Sequence, residues 1–260
     1  VDGRVRRAFQ RMCGISPDRV RRWPSGELTE SEWLTCSDPT RMLDFLVPGT
    51  TSDRKLRLFA CACCRRIWHL LPEAACRDAV ELAERYADGV VAAEELVAAG
   101  EAFDGLWDRY YTEEPGGTPG ATAFRACIAS SSTTAGDEPR RVPGQLDRYI
   151  PVRTWAPASG AAASHGGATG AAEEVAQCEL LRDIFGNPFH PVAFDPAWLT
   201  DTAVSLACGM YEGRDFSAMP ILADALQDAG CEDGHLLEHC RGPGAHVRGC
   251  WVVDLVLGKE

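Results

Sequence analysis

Six side chains able to bind a metal, Cys231, His235, His239, Cys240, His246 and Cys250, fall within 20 residues of one another in the last part of the chain. Among them His235-Leu-Leu-Glu238-His239 matches H-x-x-E-H, in which two histidines one helical turn apart hold zinc and the glutamate serves as a base. The predicted helix stops two residues later at Gly242-Pro243-Gly244, and peptidases resembling this motif use a much larger fold. The alternative chemistry is a structural zinc site built from Cys231, His235, His239 and Cys250, whose spacing lacks the paired C-x-x-C and H-x-x-x-H of the strong signatures. The plainest reading makes Cys240 and Cys250 small apolar residues on helices, with the histidines exposed or hydrogen-bonded.

Cys61-Ala-Cys63-Cys64 is formally a C-x-x-C. A thioredoxin-like motif needs a strand before it and a thiol acidified at a helix N-terminus, whereas this one lies within a helix. Buried thiols are expected, although Arg65 and Arg66 would make Cys61 more acidic if it were exposed. Other catalytic templates fail: the sequence has no P-loop, no G-x-G-x-x-G opening a helix and no G-x-S-x-G elbow. Arg54, Arg57, Arg65 and Arg66 suit an anion or an acidic partner, or more simply the surplus acid of the other helices. Asp224/Asp228 and Glu81/Glu84 read as solvated helix faces.

The elements that must position these groups read as helices. Thr29 and Glu32 have the spacing of a capping box. After Ser52, which can cap a helix, Leu56, Phe59, Cys63, Ile67 and Leu70 form a helical stripe. A second helix is predicted over 73–88 with Gly89 past its end, and a third over 92–111. Short connections favour antiparallel packing, so 28–112 reads as an N-terminal helical bundle. Residues 113–172 differ: 39 of these 60 are Gly, Ala, Pro, Ser or Thr, a composition that reads as a low-complexity linker or long loop. Residues 173–260 form a C-terminal helical segment, with helices predicted over 175–185, after Asp195-Pro196, after Ser217 up to Gly230, over 233–241 and over 247–257. The expected class is therefore all-α, the two helical parts packed together across the middle.

Charge separates the same regions. Residues 1–27 carry seven arginines against three acids, and residues 173–260 carry five basic residues against 15 acids, within a formal net charge of −12. The basic leader reads as a disordered extension, and the acidic body argues against nucleic acid as a partner. No apolar run approaches the roughly 20 residues of a membrane span. Twelve cysteines in 260 residues, without a signal-like leader, suggest free thiols and a cytoplasmic protein.

Several stretches resemble segments of a known family: Thr29-Glu-Ser-Glu-Trp-Leu, the run from Ser52 to Arg66, Leu181-Arg-Asp-Ile-Phe-Gly-Asn-Pro-Phe, Pro220-Ile-Leu-Ala-Asp-Ala-Leu, and His239-Cys-Arg through Gly249-Cys-Trp-Val-Val-Asp-Leu. Over about 28–112 and 178–260 the chain resembles an expanded family of uncharacterised proteins in planctomycete bacteria of the Gemmata type. The resemblance implies no activity. It places the usual start near Thr29, and an aliphatic or acidic residue is usual where this chain has His235. With no convergent catalytic set, the leading expectation is a non-enzymatic interaction or regulatory module with a protein partner. The alternative is a Cys/His zinc-binding protein, with hydrolase chemistry as an extension of it, centred on residues 231–250.

Overall fold

The computed structural model describes residues 28–46, 52–71, 74–101 and 170–259. The leader and the low-complexity segment up to residue 169 lie outside the described residues, as does the predicted continuation of the third helix to residue 111. Among the described residues the protein is all-helical, with α1 (Glu30–Thr35), α2 (Pro39–Leu46), α3 (Asp53–Arg66), α4 (Ala74–Ala87), α5 (Ala93–Glu101), α6 (Gly170–Phe185), α7 (Asp201–Gly213), α8 (Met219–Asp228), α9 (Gly234–Arg241) and α10 (Trp251–Leu257). Short 3-10 turns occupy Trp68–Leu70 and Pro196–Trp198. No helix among the described residues is long and apolar enough to cross a membrane.

Local chemistry explains the helix ends. Thr29 and Glu32 close a reciprocal capping box on α1, and backbone and side-chain hydrogen bonds from Thr29 together with Arg41 hold the Glu32 carboxyl down at about 2. Asp233 caps α9 through the Leu236 amide, and Thr200 caps α7 through that of Ala203. Gly89, Gly230 and Gly258 have positive φ, and each stands where the amides of two successive residues turn back to the last helical carbonyls, the Schellman arrangement. Two expectations shift. Ser217, the expected start of α8, does not cap it; the helix starts at Met219 behind Ala218, and Ile221 is 58% exposed. Ser52 stands at the N-cap of α3 without a side-chain cap bond.

Two apolar cores result. The first gathers α1 to α5 around α3, whose predicted stripe is buried along with Cys61 and Cys64 because α4 packs on one side and α6 on another, while Leu58 is buried facing Gly249. The second joins α7, α8, α9 and α10 through Met210, Leu222, Leu226, Leu236, Cys240 and Val253. Helix α6 follows the low-complexity segment in sequence, yet its Leu180, Leu181 and Ile184 complete the first core. Its end is fixed tightly. The Trp33 indole N–H donates to the Gly186 carbonyl at 3.1 Å, and Arg182 donates to the carbonyls of Trp33 and Cys36.

Around α3 and α4 the chemistry turns ionic, both within the first core and between the two. Arg54 of α3 reaches Asp88 and, on α10, Asp254; Arg65 and Arg214 converge on Glu84; Arg66 grips Glu173 of α6. Arg54, Arg65 and Arg66 of α3 thus meet acids from other elements, while Arg57 lies over the Tyr86 ring. Glu84 is only 2% exposed, so its reading as a solvated face is corrected: it shares the inner side of α4 with Val80 and Ala83.

Glycine substitutions test the seam between the cores. At Gly249, with φ +96°, a Cβ would lie 2.9 Å from Leu58 Cδ1. Gly249→Ala is expected to cost about 1–3 kcal/mol. Gly209→Ala, on helix α7 where a Cβ meets nothing within 4 Å, should gain about 0.5–1 kcal/mol. Urea unfolding of the two variants checks this; equal effects would mean that the Leu58 contact does not constrain the chain.

Candidate metal centre

Four side chains, Asp183, His239, His246 and Cys250, bring one potential ligand atom each to within 4.8 Å of all the others. Asp183 sits on the last turn of α6, His239 on α9, His246 in the connection that follows, and Cys250 at the N-cap of α10. The elements that position them belong to both cores. Asp183 is set by the Trp33–Gly186 clasp at the end of α6, and Val247 steers the loop by donating its amide to Asp183 Oδ2 at 2.9 Å. At Gly186, φ +68°, a Cβ would lie 3.2 Å from the Trp251 ring, and that ring lies 5.1 Å from the His239 imidazole.

His246 Nδ1 is 2.7 Å and His239 Nε2 3.3 Å from the same Asp183 Oδ1. His239 Nε2 is also 3.2 Å from Cys250 Sγ, and His246 Nδ1 is 3.8 Å from that sulfur. Each ring thus turns a single nitrogen toward both the carboxylate and the thiol. A Cys-His-Asp relay requires the opposite, one nitrogen on the nucleophile and the other on the acid. With zinc–nitrogen bonds of about 2.0–2.1 Å and zinc–sulfur bonds of about 2.3 Å, the edges of a ligand tetrahedron measure about 3.3–3.6 Å. The distances here surround that range, the shortest being a direct His246–Asp183 hydrogen bond.

The site is dry. Asp183 is 4% exposed and Cys250 fully buried. Burial opposes the charged form of Asp183, but His239 and His246 outweigh it and hold the carboxyl below its usual value. Burial, then the nearby Asp183 charge, push the Cys250 thiol well up. His246 Nε2 is buried without a hydrogen-bond partner, which leaves the ring tied to the protein only through the nitrogen that faces the cluster.

The residues singled out from sequence divide. His239 and Cys250 come together, joined by His246, which the sequence places in the same Cys/His-rich stretch. His235 does not join them: its ring stacks on His190, with centroids 4.9 Å apart. Glu238 is exposed, so the H-x-x-E-H residues do not share one site. Cys231 is also apart, buried at the end of the α8 Schellman turn, where its amide donates to the Leu226 carbonyl and its side chain packs in the second core. Asp183 was missed. Its signal is an acid at the i+3 position from Leu180 and next to Ile184, on a stripe that is otherwise apolar.

The thiols of α3 have no such convergence. Cys61, Cys63 and Cys64 are buried, and burial pushes Cys61 and Cys63 well above the usual thiol range despite the neighbouring arginines. Brief alkylation of the native protein followed by peptide mapping should label Cys36 and Cys208, the partly exposed cysteines of the described residues, and spare the other eight. Rapid labelling of Cys61 would contradict this packing.

No family model, no curated protein and no solved structure matches this chain, so its functional reading rests on the geometry of Asp183, His239, His246 and Cys250.

Proposed function

We propose that the protein is a zinc-binding helical module in which the metal is structural. One observation carries this reading: Asp183, His239, His246 and Cys250 converge within 4.8 Å. Two imidazoles, a thiolate and a carboxylate form a borderline-soft set suited to zinc. The two anionic ligands neutralise a divalent cation, which lowers the cost of burying all three charges. Four protein ligands fill a tetrahedron and leave no position for a substrate, which favours a structural over a hydrolytic role.

Under this reading the metal joins the two cores. Asp183 approaches from the helix that completes the first, and the other three ligands come from the second. An interaction module of this kind gains a fixed arrangement of its helical halves without needing a catalytic set.

The test is metal analysis of protein purified without chelator, repeated on His239→Ala. Near-equimolar zinc, lost in the variant, is the expected result. Absence of zinc from protein refolded with an excess of it would sink the reading.

A further inference from the structure

We propose that His190 and His235, together with Glu30, form an outer, solvent-facing cation site that passes a divalent transition metal inward to Asp183, His239, His246 and Cys250. This rests on the zinc reading above and adds a route to it.

Four of the chain's six histidines line one path. His190 and His235 are stacked with centroids 4.9 Å apart and planes 20° from parallel. His235 and His239 are four residues apart on α9, hence neighbours on one face. His239 and His246 follow with centroids 4.9 Å apart. Exposure falls along the path, with the side chains of His190 at 48%, His239 at 19% and His246 at 7%. Apart from Glu30 on α1, the same two chain segments carry both ends: the α6 terminus and its turn hold Asp183 and His190, and α9 with its following loop holds His235, His239, His246 and Cys250.

The outer end has the chemistry to capture a cation. Glu30 Oε1 lies 2.8 Å from His190 Nε2 and accepts a hydrogen bond from the Asn187 side chain at 2.8 Å. That Asn187 bond, with the nearby histidines, favours the ionised Glu30 carboxyl. A carboxylate beside two exposed imidazoles offers one anionic and two neutral donors, which must leave the His190–Glu30 hydrogen bond and the ring stack to converge on an ion. A hydrated metal ion must shed waters to reach a centre as enclosed as Asp183 and Cys250, which opposes direct entry. Exchanging its waters for imidazoles one at a time along the row removes that obstacle.

The experiment measures uptake of Co(II) by the full-length apoprotein under reducing conditions. Stopped-flow absorbance at the thiolate-to-cobalt charge-transfer band reports arrival at Cys250. His190→Gln/His235→Gln should reach the same final absorbance as the wild type but about tenfold more slowly, the scale on which a local ion-concentrating site raises association rates. Glu30→Gln, which keeps both rings, should slow uptake in the same direction and stands as the second variant if the double substitution perturbs the far-UV circular dichroism. Wild-type kinetics in the folded variants would overturn the route while leaving the zinc reading intact. Loss of the final absorbance in the folded double variant would also overturn it, by making the outer histidines ligands of the final centre. No charge-transfer band in the wild type would remove the zinc reading itself, and the route with it.

Discussion

Zinc returned to chelator-treated protein is expected to raise its thermal unfolding midpoint by about 10 °C, and His239→Ala is expected to abolish that gain. A ligand that binds only the folded state at about a thousand times its dissociation constant adds about 4 kcal/mol. In a fold of this size each kcal/mol moves the midpoint by about 2–4 °C. The gain should be distributed in a particular way. Asp183 belongs to α6, in the first core, whereas His239, His246 and Cys250 belong to the second. Asp183→Asn keeps the three C-terminal donors but weakens the tie between the halves. It should bind zinc less tightly and show a smaller midpoint gain at saturating metal than the wild type. Calorimetric scans of apo and zinc-loaded wild type, His239→Ala and Asp183→Asn make the comparison. A midpoint indifferent to zinc in the wild type would remove the structural role. An equal gain in Asp183→Asn would remove Asp183 from the ligand set.

Much of the helical framework was legible because its signals are local. The Thr29/Glu32 capping box, Asp233 before α9, and Gly89 and Gly230 beyond α4 and α8 each act within a few residues of where they stand. The α3 stripe was readable for the same reason, although periodicity understated its burial: α4 and α6 hide Cys61 and Cys64 as well, and the Gly249 segment lies against Leu58. What local signals do not carry is pairing across the chain. Asp183 and His246 are 63 residues apart, and Arg54 and Asp254 are 200. In sequence, Asp183 among Leu180, Leu181 and Ile184, Glu84 beside Val80 and Ala83, and Asp254 within Val252, Val253 and Val256 are acids on apolar stripes. Each is buried and meets a basic or imidazole partner from another element. An acid in such a position signals a distant partner, but not which one. For the candidate centre, the half held on α9 and its loop was therefore readable as His239 and Cys250, while Asp183 required the tertiary arrangement.

Arg54→Met is expected to destabilise the protein by about 3–5 kcal/mol, the cost of leaving buried charge without its partner. Arg54 Nη1 and Nη2 grip the two Asp254 oxygens at 2.6 and 3.1 Å, Nη2 reaches Asp88 at 3.2 Å, and Nη2 also donates to the Tyr211 hydroxyl at 2.7 Å. The side chains of Asp88 and Asp254 are each 2% exposed. Asp88 keeps Arg248 at 3.4 Å and Lys259 at 3.8 Å when Arg54 is gone, so Asp254 bears most of the loss. Asp254→Asn in the Arg54→Met background should therefore recover part of it, giving a non-additive double-mutant cycle. The pH dependence has a definite sign. Burial raises the Asp254 carboxyl above its usual value, while Arg54 pulls it down. Without the arginine the folded-state value rises further, so the folded protein holds that proton more tightly than the unfolded chain. Such a group favours folding at low pH, and the advantage is lost as pH rises through its folded value. The deficit of Arg54→Met should accordingly be largest near neutrality and shrink in mild acid. Urea titrations of the four proteins of the cycle at both pH values test this, made without metal because Cys250 and Asp254 lie one turn apart at the start of α10. An additive cycle with a pH-independent deficit would mean that the seam between the cores does not depend on the Arg54–Asp254 pair.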